Sequence, residues 1–117
     1  MHFEAPLNLH LEGGDASSGN LFLNERPVCD DLWELPAAGV ACRSLGFPGA
    51  IAATTGSTFG QVTNRFLLSE VVCLGNETSL VECTRRVEGV HCGAGEGAGI
   101  ICQGRPYTFI EPHQRNY

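Results

Sequence analysis

The chain has 117 residues, with 13 acidic and 7 basic side chains and a formal net charge of −6. This length suits one domain, and the acidic balance argues against unassisted binding of nucleic acid or other polyanions. No apolar run approaches the roughly 18 residues that a membrane span needs. The polar start Met1-His2-Phe3-Glu4 carries no secretory signal, so we interpret the chain as a mature or excised segment with an added Met.

In the first quarter of the chain, residues 7–12 alternate apolar and polar side chains, which predicts a half-buried strand. Residues 13–15 are expected to end this strand, and residues 17–20 to form a loop. The apolar residues 21–23 predict a short strand that pairs back on the first one. Residues 24–27 are expected to break it before an extended path resumes at Val28.

A helix is predicted over residues 35–46. Pro36 suits the first turn of a helix, and Gly46 suits the position just beyond its end. One face would carry Ala37, Val40, Ala41 and Leu45, with Cys42 nearby.

The second half of the chain predicts short elements between polar loops. Ser79 and Glu82 have the spacing of a capping box, which predicts a short helical turn that ends near Cys83. The other predictions are extended segments at 50–53, 66–68, 71–73 and 99–102, a surface loop at 54–64 and a charged loop at 84–91. Residues 104–117 are a tail without a predicted structure.

Six cysteines lie at positions 29, 42, 73, 83, 92 and 102. Their number is even, their spacing is wide and no Cys-x-x-Cys pair occurs, which indicates a disulfide framework and an oxidising, extracellular compartment. Six cysteines by themselves allow fifteen pairings. Residues 93–99 are nearly all glycine and alanine, so they cannot build a core, and we expect the flanking cysteines to hold them.

Several short motifs follow one another along the chain. They are Val28-Cys29-Asp30-Asp31-x-Trp33, Val40-Ala41-Cys42-Arg43-x-Leu45-Gly46-Phe47, Cys73-x-Gly75-Asn76-Glu77-x-x-Leu80-x-x-Cys83, His91-Cys92 and Glu96-x-Ala98-Gly99-Ile100-x-Cys102. With these motifs the chain resembles the six-cysteine subclass of the scavenger receptor cysteine-rich domain family. The resemblance covers residues 7–103 and leaves 1–6 as a leader and 104–117 as a C-terminal tail.

The resemblance implies both a fold and a set of disulfides. The implied fold is α+β, a small disulfide-stapled domain whose curved antiparallel sheet cradles one main helix, with long loops. The implied pairs are Cys29–Cys92, Cys42–Cys102 and Cys73–Cys83.

A calcium site is the main chemical hypothesis. Asp30 and Asp31 are adjacent carboxylates, and Glu96 would come close to them if Cys29 joins Cys92. Three carboxylates form a hard-oxygen site that suits Ca²⁺, and the resemblance implies a cation at these acids. Calcium would also offset the acidic surface toward an anionic ligand. The alternative is that Asp30 and Asp31 cap or solvate a turn while Glu96 is a plain surface acid.

Two further features have weaker interpretations. Arg85 and Arg86 are the only adjacent basic pair and would add an anion contact, unless they only solvate a loop. Asn76-Glu77-Thr78 is a glycosylation sequon, although Asn76 also suits a turn.

No catalytic motif is visible, since the chain has no Gly-x-Ser-x-Gly elbow and Cys92, beside His91, is expected in a disulfide. We therefore predict a secreted, non-catalytic module of a larger extracellular protein. It would bind a protein or polyanionic ligand with the help of calcium. The alternatives are a structural accessory domain of a secreted enzyme or matrix protein, and a disulfide-rich inhibitor.

Overall fold

A computed structural model describes residues 8–104 of the chain. Within this range, seven strands and one α-helix form around a single apolar core. The strands are β1 Leu9–Asp15, β2 Ser18–Leu23, β3 Arg26–Pro27, β4 Ala50–Thr54, β5 Ser69–Val72, β6 Thr84–Arg86 and β7 Gly99–Cys102, and the helix is α1 Leu35–Ser44.

The main sheet is antiparallel and has the strand order β1-β2-β7-β4, with β3 added to β2. Since β1 pairs along the length of β2, the other edge of β2 is shared by β7 at one end and β3 at the other. The last strand of the described chain therefore lies inside the sheet and joins β2 to β4.

The β1–β2 hairpin corrects two predictions, because residues 13–15 continue β1 and residues 18–20 begin β2 instead of forming a loop. The Asp15 carboxylate shapes the turn by accepting hydrogen bonds from the Ser17 N–H and the Ser18 hydroxyl, both at 2.9 Å. These bonds, that of Ser17 first, lower the pKa of Asp15. Gly13 has a φ of 90° where the register shifts, so the glycine supports a bulge rather than a strand end.

The predicted break at residues 24–27 is correct only for its first half. Asn24 and Glu25 have φ values of 52° and 71° and form a two-residue turn, after which Arg26–Pro27 pairs with β2 as β3. Positive φ at both central residues is the conformation that the twist of a tight hairpin favours.

Helix α1 confirms the helix prediction, with Pro36 in its first turn and Gly46 in a left-handed conformation just beyond its end. Its buried face consists of small side chains, so the helix backbone packs closely on the sheet. The buried residues of the helix are Ala37, Ala38, Val40, Ala41 and Cys42. They pack in one core with Leu21, Leu23 and Ile100, which are fully buried.

The predicted loop at 84–91 is wrong for its first three residues, which form β6 and pair with β5 in a separate two-stranded sheet. Glu70 has a φ of 54° at the register shift in β5, and its carboxylate lies 3.2 Å from the Arg86 guanidinium. The short helical turn predicted near Cys83 is a 3₁₀ turn at Leu80–Glu82.

Three disulfides fasten these elements, with the pairs Cys29–Cys92, Cys42–Cys102 and Cys73–Cys83. The second links α1 to β7, and the third closes a loop of 10 residues. The predicted α+β fold, a disulfide-stapled antiparallel sheet packed on one main helix, is confirmed. Among residues 8–104, no helix is long and apolar enough to span a membrane.

Candidate cation site and its surroundings

The segments that carry the three predicted calcium ligands lie side by side. The backbone N–H of Asp30 donates to the carbonyl of Glu96 at 2.9 Å, and Cys29 forms an antiparallel bridge with Gly97. The Cys29–Cys92 disulfide closes the same frame. The fold therefore places residues 29 and 30 beside the glycine-rich run at 93–99, where the three acids lie.

Asp31 lies on a tight turn that the neighbouring Trp33 holds in place. The Trp33 N–H donates to the Asp30 carbonyl at 3.1 Å, and Leu32 takes a φ of 65° between them. The Trp33 ring is buried, and its Nε1–H donates to the carbonyl of Gly99 at 2.8 Å. The buried tryptophan fixes the turn, while Asp31 is exposed.

The backbones meet, but the carboxylates point in different directions. Asp30 Oδ2 accepts from the Gly56 N–H at 2.7 Å, and Glu96 Oε1 accepts from the Gly93 N–H at 2.5 Å. A carboxylate oxygen of Asp30 lies within 4.8 Å of one of Asp31. A carboxylate oxygen of Glu96 instead lies within that distance of the Cys92 sulfur. In the part of the chain that the structure describes, no group within this distance unites all three acids.

The donor set nevertheless fits calcium in its chemistry. All three side chains offer hard oxygens, and Asp30 and Glu96 each keep one oxygen that accepts no hydrogen bond from residues 8–104. The neighbouring sulfurs of Cys29 and Cys92 form a disulfide, so they cannot act as thiolate ligands. An ion that used all three carboxylates would require the exposed Glu96 side chain to turn away from Gly93.

Ser57 is a residue of this site that the sequence did not reveal. It is 8% exposed, and its hydroxyl accepts from the Gly97 N–H at 2.8 Å and donates to the Ala94 carbonyl at 2.7 Å. Its own N–H donates to the Gly97 carbonyl at 3.0 Å. The glycine-rich run is thus held by a neighbouring loop as well as by the disulfide. No sequence motif marks this serine within the polar stretch 54–64.

The predicted basic pair has internal partners. Arg85 Nη1 donates to the carbonyls of Val81 and Cys83 at 2.7 and 3.1 Å, and Arg86 forms the ion pair with Glu70. Both side chains remain exposed, but these contacts occupy part of each guanidinium.

The sequon lies in the loop closed by Cys73–Cys83, with Asn76 exposed. Beside it, the Glu77 carboxylate accepts from the N–H groups of Leu74 and Gly75, both at 2.9 Å. These two bonds, that of Leu74 first, lower the pKa of Glu77. Arg43 of α1 donates to the Gly75 carbonyl at 2.6 Å and so attaches the loop to the helix.

Comparison with known proteins assigns the chain to a family. The model of the scavenger receptor cysteine-rich domain matches residues 12–103. The chain belongs to this family, and its three disulfides place it in the six-cysteine subclass.

Solved structures and curated proteins agree with this assignment. The crystal structure of the third SRCR domain of murine neurotrypsin has a TM-score of 0.76 and 32% identity, over 85% of this chain and 98% of that one. The SRCR domain of mouse MARCO, in its dimeric form, has a TM-score of 0.62 and 28% identity, over 87% and 93%. Human lysyl oxidase homolog 2 is 45% identical over 75 residues, which is 64% of this chain.

The match to the curated relatives is partial on their side. The chain spans 10% of the length of lysyl oxidase homolog 2 and 7% of a scavenger receptor cysteine-rich domain superfamily protein of Patiria pectinifera, which is 40% identical over 77 residues. The chain therefore corresponds to one domain of proteins that are much larger.

Proposed function

We propose that this domain is a secreted, non-catalytic binding module that recognises a protein or polyanionic ligand with the help of calcium. The observation that carries the proposal is the meeting of Asp30, Asp31 and Glu96 on one backbone frame beside the Cys29–Cys92 disulfide. A disulfide-rich domain of this family suits an oxidising, extracellular setting. Its rigid frame presents acidic side chains to solvent rather than enclosing them in a reaction cleft.

The ion would be held by Asp30, Asp31 and Glu96, and backbone carbonyls, water or the ligand's own oxygens would complete its coordination. Calcium when bound supplies a local positive charge on an otherwise acidic surface. Extracellular modules of this kind bind Ca²⁺ with a Kd of about 10⁻⁴–10⁻³ M, so the domain would respond to extracellular rather than cytosolic calcium.

Calcium titration of the whole chain by calorimetry tests the proposal. Asp31→Asn is the sharpest variant, because its side chain is exposed and accepts no hydrogen bond from the described residues. We expect this variant to bind Ca²⁺ about tenfold more weakly. Glu88→Gln is the matched control, an exposed acid outside the cluster, and it should bind like the parent chain. Equal affinity of Asp31→Asn and the parent would remove the cation site.

A structural accessory role is the second candidate, and the small share of lysyl oxidase homolog 2 that the chain spans favours it. In that case the domain would position its neighbours in a larger extracellular protein and bind no metal. Immobilised parent and Asp31→Asn chains, exposed to native extracellular fluid with calcium and with chelator, separate the two roles. Capture of a partner that is lost in chelator and in the Asp31→Asn chain supports the binding module. Capture that is the same in chelator and in the Asp31→Asn chain supports the accessory role. The inhibitor alternative depends on the tail, most of which lies outside residues 8–104.

A further inference from the structure

Two clefts of opposite charge lie next to each other on this domain, and none of the three predicted calcium ligands lines either of them. The first, here called the basic cleft, has a volume of about 580 Å³ and is lined by Arg26, Arg65 and His91 together with the apolar Phe66 and Val90. Among residues 8–104, no acidic side chain lines it. In a chain with a net charge of −6, such a cleft is a local reversal of the surface charge.

Arg26 is held in position for binding. Its Nε–H donates to the carbonyl of Arg65 at 3.2 Å and its Nη2 donates to that of Phe66 at 2.7 Å. Two of the five N–H donors of a guanidinium are thus used, and three remain. Among residues 8–104, neither Arg26 nor Arg65 has a carboxylate within the 4.0 Å of an ion pair. The cleft therefore presents a fixed cation and an exposed one, both able to take a carboxylate.

The neighbouring acidic cleft has a volume of about 340 Å³ and shares Thr63 and Asn64 with the basic one. It is lined by Glu12 and Glu25, with the rings of Phe22 and Phe59 beside them, and no basic side chain of the described range 8–104 lines it.

Hydrogen bonds hold Asn64, which lines both clefts, and Gly60, which lines the acidic one. Asn64 Nδ2 donates to the Glu25 carbonyl at 2.9 Å, and the buried Asn20 donates to the Gly60 carbonyl at 2.7 Å. The two clefts adjoin at Thr63 and Asn64, and together we call them the dipolar groove.

We propose that the dipolar groove binds an extended protein segment that carries a carboxylate side chain at one end and a cationic side chain at the other. The carboxylate meets Arg26 and Arg65, the cation meets Glu12 and Glu25, and apolar side chains rest on Phe59 and Phe66. This inference rests on the proposed ligand-binding function and names the class of its ligand. A sulfated polysaccharide fits less well, since its uniform negative charge meets the two glutamates.

Fluorescence anisotropy with labelled peptides tests the groove. The probes are peptides of about 12 residues on a Gly/Ser background with two arginines and two glutamates at opposite ends, in both orders and several spacings. Controls are peptides with the arginines alone, the glutamates alone or neither, and a heparin-derived oligosaccharide. We expect the best dipolar peptide to bind about tenfold more tightly than any control at low salt, and less tightly as salt increases.

Variants of the groove give the second readout. Arg65→Gln should weaken binding of the dipolar peptide about threefold to tenfold, and Arg65→Lys should restore most of it. The double variant E12Q/E25Q should remove the preference for the dipolar peptide over the glutamate-only peptide. Arg26 is left unchanged because its hydrogen bonds also support the fold.

Three results would overturn the groove: dipolar peptides that bind no better than the controls, an oligosaccharide that binds as tightly, or an Arg65→Gln variant that binds like the parent. The calcium site is tested separately, since Asp31 lines neither cleft. Intact calcium binding without dipolar peptide binding removes the groove alone. Dipolar peptide binding that persists in chelator and in Asp31→Asn supports the groove and counts against calcium assistance.

Discussion

The hydroxyl of Ser57 and the backbone N–H of Gly97 form a hydrogen bond of 2.8 Å in a buried position, although 40 residues separate them in sequence. The same hydroxyl donates to the carbonyl of Ala94, so one side chain satisfies a donor and an acceptor of the glycine-rich run. The run has almost no side chains of its own with which to fix its path. Its conformation, and with it the position of Glu96, depends on this loop.

We therefore expect Ser57→Ala to destabilise the domain by about 1–3 kcal/mol, because the buried Gly97 N–H loses its partner. Urea unfolding followed by the fluorescence of Trp33, the single tryptophan, measures this change. Thr58→Ala is the matched control, since within the described part of the chain its hydroxyl bonds only the nearby Thr55 carbonyl, in an exposed position. It should change the stability by no more than about 0.5 kcal/mol. Equal effects of the two variants would contradict the role given to Ser57.

Gly99 is a buried glycine of β7 at which a side chain should be poorly tolerated. A Cβ there would collide with the Thr54 hydroxyl and lie 2.7 Å from the Gly19 carbonyl, and the Gly99 carbonyl also accepts from Trp33. We expect Gly99→Ala to cost about 4 kcal/mol or to prevent folding. Gly95→Ala, where a Cβ meets no atom of residues 8–104 within 4 Å, should remain folded with nearly unchanged stability. Thermal unfolding of both variants checks the contrast, and a stable Gly99→Ala protein would show that β2 and β7 pack less tightly than described.

Glu77 should make the stability depend on pH in the acid range. Its pKa is lowered in the folded domain by the N–H groups of Leu74 and Gly75, so its contribution is complete above the ordinary value of 4.5 and is lost as the pH falls through the folded pKa. The stability difference between the parent and Glu77→Gln should therefore be largest near neutral pH and shrink below about pH 4.5. Urea unfolding between about pH 3 and 7 tests this. A difference that stays constant over this range would contradict it, and Glu88→Gln controls for the loss of one negative charge.

The three disulfides should contribute unequally to the free energy of unfolding. Cys29–Cys92 closes a separation of 63 residues and Cys73–Cys83 one of 10. Loss of the shorter loop, in a Cys73→Ala/Cys83→Ala protein, should cost about 3 kcal/mol, whereas loss of the longer one should cost about 4 kcal/mol. Chemical unfolding of the two double variants gives the order. If the shorter disulfide were the more important, enthalpic support of the loop at Asn76 would outweigh chain entropy.

The helix was predictable because its signals are local. Pro36 and Gly46 mark its ends, and the spacing of Ala37, Val40 and Ala41 marks its buried face. The pairing of residues 21–23 with the first strand was also predicted and is confirmed, but the tight turn at Asp15 and the pairing of β5 with β6 were not predictable in this way. Glycine at position 13 signals a strand end as readily as a bulge, and a charged segment such as 84–86 forms a strand only because β5 lies beside it.

The candidate cation site was also predictable from the sequence only in part. Asp30 and Asp31 stand out in the sequence, and the resemblance supplied the disulfide that brings Glu96 near them. The directions of the carboxylates were not predictable, since Gly56 and Gly93 compete for them through backbone N–H groups. Every glycine carries such a donor, and the sequence does not show which of them faces an acid.

The interior position of β7 has a consequence for biosynthesis. A nascent chain that ends before residue 99 has made β2 and β4 but lacks the strand that joins them, so both carry unpaired edges until translation has nearly passed the domain. The sheet is thus completed late, and the partners of Cys29 and Cys42 also emerge late, at positions 92 and 102. Oxidation of Cys29 or Cys42 before its partner has emerged can only produce a wrong pair, which thiol–disulfide exchange must then resolve before the native disulfides form.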